Sequence, residues 1–437
     1  MKTNIAPKFT EKTHEGGQAH PMNAEQALRR SVMACMLWEG EFYEDGKTIA
    51  ERIADLTKAL PFEKVAAIAI EAREQMKLRH APLWIVVAIL KAKHQGRKVG
   101  DLIARVCQRA DEPAELLSLY WKDQPQAPLP KQLKIGLARA IGKFDEHQLA
   151  KYNRDGVVKL RDVLFLSHAK PHNEERAALY KRITDGTLAT PDTWEVKLSA
   201  GADKKETFLR LMAEKNLGGL AFLRNLRNME QAGITKSQVA DYSGSIKLDR
   251  VLPFRFIAAA RAIPQWEDMI EPLMMKALEG KDKIKGRTVL LVDVSGSMDE
   301  ALSAKSEMKR TDAAFGLGIL LRELCEDVSI FTFSDALAQV APRRGFALRD
   351  AMNGSQPHQS THLAGALQAL HDKAHAKYDR IIVITDEQTH DGILTPQGNG
   401  YVINVASAKN GVGYGQWTHI DGWSEAVIDY VMASEDQ

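Results

Sequence analysis

One carboxylate and two hydroxyls stand at alternate positions in Asp293-Val294-Ser295-Gly296-Ser297. Alternate side chains of an extended turn point the same way, and Gly296 lets the backbone fold closely. Asp293, Ser295 and Ser297 are therefore placed to converge on one hard cation. Oxygen ligands of this kind suit Mg²⁺ or another divalent cation, which takes octahedral oxygen and keeps several waters. A site needs more than one loop, and two further positions complete the set. Thr361 opens a helical segment, and Asp386 ends the apolar run Ile381-Ile382-Val383-Ile384-Thr385. A serine-rich turn with no ion is the plainer reading, disfavoured because the pattern falls where strand ends converge. A phosphoryl-accepting aspartate is the enzymatic rival, but Ser295 stands where a second acid would be required. Nothing elsewhere pairs a nucleophile with a base, so the expectation is a protein that is not an enzyme.

These ligands need a scaffold, and the pattern from Arg287 onward supplies one. Arg287 to Asp293, Val328 to Phe333, Arg380 to Thr385 and Gly400 to Ala406 are short apolar runs ending in polar turns. Thr311 to Leu324, Thr361 to His375 and Ser424 to Met432 read as helices. Strands alternating with helices predict an α/β, doubly wound, mostly parallel sheet covered on both faces. Ligands of such sheets bind at the carboxyl ends of the strands, which is where Asp293 and Asp386 fall.

Before the charged linker Glu279-Gly280-Lys281-Asp282-Lys283-Ile284-Lys285-Gly286 the period is different. From Asn23 to about Gly280 it is helical throughout, with Leu133, Leu137, Ile141 and Phe144 on one face and Val65, Ile68 and Ala69 on another. Breaks at Pro61, Pro82, Pro113, Pro125 to Pro130, Pro171, Pro191 and Gly218-Gly219 divide it into helices that predict stacked hairpins. Met1 to Gly17 has little periodicity and reads as a loose arm or a tail that docks elsewhere. The predicted organisation is an arm over 1–22, a helical-repeat domain over 23–284 and a sheet domain over 285–437.

Charge follows the same division. From Arg287 onward there are 12 basic and 20 acidic side chains, leaving 47 and 37 before it, so the helical part carries +10 and the sheet part −8. A chain of 437 residues exceeds the roughly 250 to 300 at which single cores stop growing. Cys35, Cys107 and Cys325 form no CxxC pair and no even framework, which excludes a zinc ribbon or disulfide scaffold and predicts a reducing compartment. The longest apolar run, Ala81 to Leu90, is far short of the roughly 20 residues that span a bilayer. The expectation is a cytoplasmic protein with no membrane association.

The Asp-x-Ser-x-Ser loop with Thr361 and Asp386 resembles the metal-ion-dependent adhesion site of von Willebrand factor type A domains; Gln359-Ser360 stand where that family usually has Gly-Gly. The helical half has its own resemblance. Leu160-Arg161-Asp162-Val163-Leu164-Phe165-Leu166-Ser167-His168-Ala169-Lys170-Pro171 is similar to a signature segment of the TROVE module of the Ro ribonucleoprotein family. Ala221 to Met229 and Leu252-Pro253-Phe254-Arg255-Phe256 resemble two more of its segments. The resemblance implies a ring of HEAT-like α-helical repeats closed by the type A domain. It implies small structured, Y-like non-coding RNA on the outside and single-stranded RNA ends in the channel. It also implies a role in RNA quality control or processing, with an exoribonuclease or other processing protein as partner and a monomeric ring. The outer RNA contacts of the family carry over onto Lys151, Arg154 and His168, with Lys170 in the same segment. Arg224, Arg227 and Arg255 become channel candidates because they lie in matched segments.

Read from the residues alone, the segment Lys131 to Phe144 turns Lys131, Arg139 and Lys143 away from its apolar face, with Lys134 at the margin. A cationic face beside a structured core is what phosphates need. A solvated helix face is the plain alternative for any single lysine run. His168 has a cap or core alternative, and Arg227 could equally pair with Glu230 on its own helix. The competing function is a metal-dependent protein–protein adaptor in which the helical array is only a scaffold.

Overall fold

The computed structural model describes residues 11–33, 43–92, 98–153, 156–248, 251, 253–280, 282–302, 306–372, 377–406, 408–422, 431–432 and 435. Arg154, Cys35 and most of the helix expected over 424–432 lie outside the described residues. The chain forms two compact units, one of residues 1–49 with 204–437 and one of residues 50–203. The compact units therefore divide the chain at other places than the sequence boundaries near 22 and 284.

In chain order the helices up to residue 203 are α1 (Ala24–Met33), α2 (Gly46–Ala59), α3 (Phe62–Glu74), α4 (His80–Lys91), α5 (Val99–Val106), α6 (Glu112–Trp121), α7 (Lys131–Ile141), α8 (Glu146–Tyr152), α9 (Leu160–Ser167), α10 (Glu174–Asp185) and α11 (Trp194–Ser199). From most of α2 through α11 they make up the unit of residues 50–203. The apolar run Ala81 to Ile89 is buried along all of its length as the centre of α4. Gly136 permits α5 and α7 to approach closely, since a Cβ there would lie 2.5 Å from Ile103. Leu133, Leu137, Ile141 and Phe144 are buried as the 3.6-residue period requires.

The other unit holds α1 and the helices α12 (Lys204–Ala213), α13 (Gly219–Gln231), α14 (Lys236–Ser243), α15 (Pro253–Ala262), α16 (Glu267–Leu278), α17 (Arg310–Leu324), α18 (Gly345–Asn353) and α19 (Leu363–Asp372). Its sheet consists of β1 (Ile284–Asp293), β2 (Cys325–Phe333), β3 (Leu337–Gln339), β4 (Arg380–Thr385), β5 (Asn399–Asn404) and β6 (Thr418–Asp421), in the order β3-β2-β1-β4-β5-β6. All neighbours are parallel except the edge pair β2 and β3. The four expected strands are present; β3, β6 and α18 are additional, being too short or too polar to stand out. β1 and β4 are buried over their last six residues, as central parallel strands must be. Their register, Val292 opposite Ile384, brings Asp293 and Asp386 to the same end of the sheet.

Helices α13, α15 and α16 belong to the same compact unit as α17 and the sheet, with α15 packed on α13, α16 and α17. Phe254 of α15 lies against Gly316 of α17, where a Cβ would come within 3.3 Å of it. The stretch read as an arm is also part of this unit. Thr13 donates its hydroxyl to the Thr389 carbonyl at 2.8 Å, His14 N donates to Gln388 Oε1 at 2.8 Å, and His20 N donates to the Gly411 carbonyl at 3.1 Å.

Candidate metal site and cationic helix face

The end of β1 passes into an extended turn and a short 3₁₀ turn over Gly296–Asp299. Ser295 N donates to Asp293 Oδ1 at 2.9 Å, and the hydroxyls of Ser295 and Ser297 lie 3.3 Å apart, so the three expected ligands do converge. Gly296 N donates to the Gln359 carbonyl at 2.8 Å, tying this turn to the loop before Thr361. That loop, which lacks the Gly-Gly pair, is held instead by Ser334: its Oγ accepts from Gln359 N at 2.9 Å and donates to the Ser360 carbonyl at 3.0 Å. Thr361 is buried, with His390 N donating to its carbonyl at 2.9 Å.

Asp293 and Asp386 are both fully buried. Burial, and then the neighbouring Asp386 charge, push the Asp293 carboxyl up to about 7, while hydrogen bonds from Ser295 and Thr385 oppose the shift. Thr385 Oγ1 donates to Asp293 Oδ2 at 2.6 Å. Asp386 Oδ2 accepts from Tyr43 Oη at 2.7 Å and from Arg310 Nη1 at 3.2 Å. Arg310 Nη1 also donates to the Ser297 carbonyl at 3.2 Å, and the Arg310 guanidinium lies 4.4 Å from the Tyr43 ring centroid. Among the described residues no group of three or more His, Cys, Asp and Glu side chains is arranged to hold a metal. The candidate set thus rests on two carboxylates and three hydroxyls. These residues fit a hard divalent cation, because two buried carboxyls crowded together are what such a charge relieves.

Next to this set lies a second buried charge cluster. Arg30 of α1 donates from Nε to the Ala408 carbonyl at 2.6 Å, from Nη2 to the Asn410 carbonyl at 2.8 Å and from Nη1 to Glu387 Oε1 at 2.7 Å. His419 bonds the same Glu387 oxygen, and Gly413 N donates to Glu387 Oε2 at 2.7 Å. Burial would raise the Glu387 carboxyl, but Arg30 and His419 hold it well below the carboxylate range. Burial would likewise lower His419, but Asp421 and Glu387 raise it to about 9.

In the other unit, α7 and α9 pack together, so their outward faces form one surface. The expected cations divide there into two groups. Arg139 is ion-paired with Asp101 of α5, and Lys143 donates to the Ala104 carbonyl with its ammonium 5.5 Å from the Phe144 ring. Lys151 lies 3.7 Å from Glu195. Among the described residues Lys131, Lys134, His168 and Lys170 have no acidic partner. His168 closes α9 in the left-handed conformation, φ 54°, its N–H bonded to the Phe165 carbonyl. The cap is made by its backbone, and its side chain is exposed.

Arg224, Arg227 and Arg255 are exposed on α13 and α15. Arg227 reaches Glu307 at 4.0 Å; Glu230, the intrahelical partner considered for it, accepts from Gln265 instead. Arg255 stacks 4.8 Å from the Phe254 ring, and its guanidinium is lowered by burial and by Arg224.

The TROVE domain matches residues 163–310, and the von Willebrand factor type A domain matches residues 288–388. The chain thus carries a stretch that matches the TROVE domain followed by one that matches a type A domain. Its structure is similar to the crystal structure of the Deinococcus radiodurans RO (RSR) protein, with a TM-score of 0.63 at 17% sequence identity, over 94% of this chain and 99% of that one. At that identity the likeness shows a shared fold. No curated protein sequence matches the chain.

The TROVE match covers His168, Lys170, Arg224, Arg227 and Arg255, and it begins after Lys131 to Lys151. The type A match covers all five candidate ligands. Sequence reasoning missed Tyr43, Arg310, Thr385 and the Arg30 cluster. Arg310 had a signal, since it opens α17 twelve residues after the Asp-x-Ser-x-Ser loop; Tyr43 and Arg30 had none, because long-range docking is not written in local spacing. No helix among the described residues is long and apolar enough to cross a membrane.

Proposed function

We propose that this protein binds RNA. In this reading structured non-coding RNA is held on the α7–α9 surface and single-stranded ends by the Arg224, Arg227 and Arg255 group. The observation that carries it is the set of exposed Lys131 and Lys170, half-buried Lys134 and the exposed His168 imidazole, without acidic partners among the described residues, on α7 and just beyond α9, which packs on it. Cations held by neighbouring carboxylates add little to phosphate binding, whereas un-neutralised ones release counterions when a phosphate replaces them. Duplex RNA hides its major-groove edges, so shape and charge rather than sequence set affinity. The buried thiols Cys107 and Cys325 support a cytoplasmic setting.

The type A domain has a separate task in this proposal. Asp293, Ser295, Ser297, Thr361 and Asp386 would hold Mg²⁺ or a similar divalent cation. When bound, the cation supplies an electrophilic position that accepts an acidic oxygen of a partner, such as an RNA-processing protein. The chain's own residues keep Asp293 oriented through Ser295 and Thr385.

Retention of total cellular RNA on a filter at moderate salt tests the reading against a protein adaptor, which would retain none. Asp293→Ala should abolish thermal stabilisation by Mg²⁺ and leave RNA affinity unchanged within about twofold, the scatter of distant, independent sites. Equal loss of both would refute the division of labour. A helical array that closes round a strand further requires a free end, so a circularised oligomer should bind worse than its linear form in identical salt; equal binding removes the channel from the proposal.

A further inference from the structure

We propose that Tyr43 is a built-in occupant of the type A site, holding the position that an incoming acidic oxygen would take. The inference rests on the divalent-cation reading of Asp293, Ser295, Ser297, Thr361 and Asp386.

The placement of one oxygen atom is the starting point. Tyr43 Oη donates to Asp386 Oδ2 at 2.7 Å and is also hydrogen-bonded to the Ser297 side chain. It therefore lies between a ligand candidate from the turn after β1 and another from the end of β4. Having donated its proton to Asp386, a phenol oxygen keeps lone-pair capacity and is a hard, neutral donor of the kind that Mg²⁺ and Mn²⁺ accept.

Tyr43 does not lie there by chance of rotamer. Arg310, itself buried, spans from the Ser297 carbonyl to Asp386 and stacks its guanidinium 4.4 Å from the Tyr43 ring centroid. A cation over the ring face in a dry setting is favourable. The His14 ring packs against the Tyr43 ring at 5.2 Å between centroids, tilted by 59°. His14 is itself fixed through its backbone to Gln388, two residues beyond Asp386. The ring is thus clamped between a guanidinium anchored on the candidate ligands and an N-terminal segment anchored on the loop after β4.

Two consequences distinguish an occupant from a bystander. An occupant removes one exchangeable water from a bound cation, and it competes with any external carboxylate. The apparent affinity for that carboxylate is then the intrinsic one reduced by the fraction of molecules with Tyr43 withdrawn. A structural tyrosine outside the ligand position would do neither.

Mn²⁺ and acetate serve as probes on the full chain. Mn²⁺ binding is followed by water-proton relaxation for wild type, Tyr43→Phe, His14→Ala and Asp293→Ala, and acetate is then titrated into the loaded proteins. Tyr43→Phe removes a single oxygen and keeps the stacking; the expected result is about one more exchanging water on the bound Mn²⁺ and acetate binding about tenfold tighter. His14→Ala, which removes the ring packed against Tyr43, should move both readings the same way by less, and serves if Tyr43→Phe folds poorly. Equal relaxivity and equal acetate affinity in wild type and both variants overturn the inference while the cation reading stands. Mn²⁺ bound by none of the proteins, or as tightly by Asp293→Ala as by wild type, overturns both. Mn²⁺ bound by Tyr43→Phe and not by wild type supports the occupant in its strongest form.

Discussion

Each compact unit contains an arginine–glutamate pair buried at 2.7 Å, and the two pairs behave in opposite ways. In the unit with the sheet, Arg30 holds Glu387, and the carboxyl stays well below its ordinary range. In the helical unit, Arg73 holds Glu112, and burial pushes that carboxyl up. Both glutamates accept backbone hydrogen bonds, Glu387 from Gly413 N, Glu112 from Gln108 N and Arg109 N. The difference lies in how the second cation is held. His419 bonds Glu387 directly and is itself held protonated by Asp421, whereas Arg79 stands 3.9 Å from Glu112 and directs its hydrogen bonds to Asp111 and Glu115. A buried pair at good distance is therefore not by itself a sign of a stabilised charge; whether a second cation bonds the carboxyl directly decides whether attraction exceeds desolvation.

The largest effect should come from breaking the two pairs in parallel. Arg30→Ala leaves Glu387 ionised beside one cation and removes the tie between α1 and the sheet domain. The expected loss is about 3 to 5 kcal/mol in urea unfolding. Arg73→Ala should cost clearly less, because a carboxyl already raised by burial takes up a proton instead of remaining charged. Losses of the same size at pH 7 would mean that both glutamates stay ionised and that the second cation is immaterial.

The pH dependence sharpens the same contrast. His419 is raised to about 9 in the folded protein, so its contribution is complete below the ordinary histidine value near 6.5 and is lost as pH rises through 9. The upper limit is about 3 kcal/mol over that window, at 1.36 kcal/mol per pKa unit. Glu387, held low, contributes above the ordinary carboxylate value and loses that contribution only in acid. Glu112, held high, has the reverse sign: its ionisation costs stability as pH rises through its raised value. Urea midpoints of wild type and His419→Gln between pH 6 and pH 10 check this; parallel curves would show that His419 is neutral in the folded state.

What was legible in the sequence follows from the range over which each feature acts. The five candidate ligands and the strands that carry them are local patterns, an apolar run with a polar turn, and parallel register then aligns the ends of β1 and β4. The resemblance to the TROVE module was legible for the same reason, as contiguous segments. The burial face of α7 came from a 3.6-residue period. Arg30, Glu387 and Tyr43 were not legible: residues 343 to 357 positions apart meet only because the N-terminal segment docks on the loops after β4 and β5. Composition suggested an arm before Asn23, and Thr13, His14 and His20 of that stretch bond the loops after β4 and β5. Nor did residue type reveal which lysines and arginines of the α7 face are engaged, since Asp101 and the Ala104 carbonyl come from a neighbouring helix.

The smallest effect concerns cations that are not buried, and it extends the contrast to the surface. If neighbouring charge decides what a buried group does, it should also decide which surface cations bind phosphate. Lys131 and Lys134 have no acidic partner among the described residues, while the Lys143 ammonium is occupied by the Ala104 carbonyl and the Phe144 ring. Replacing Lys131 or Lys134 by Ala should leave folding unchanged and flatten the slope of log RNA affinity against log salt by about 0.7 to 0.9 per lost phosphate contact. Lys143→Ala should leave that slope unaltered and cost a little stability through the lost packing of its stem. A slope change of the same size for Lys143→Ala would show that RNA draws the ammonium away from Phe144, and that partners seen in the free protein do not determine which cations are available.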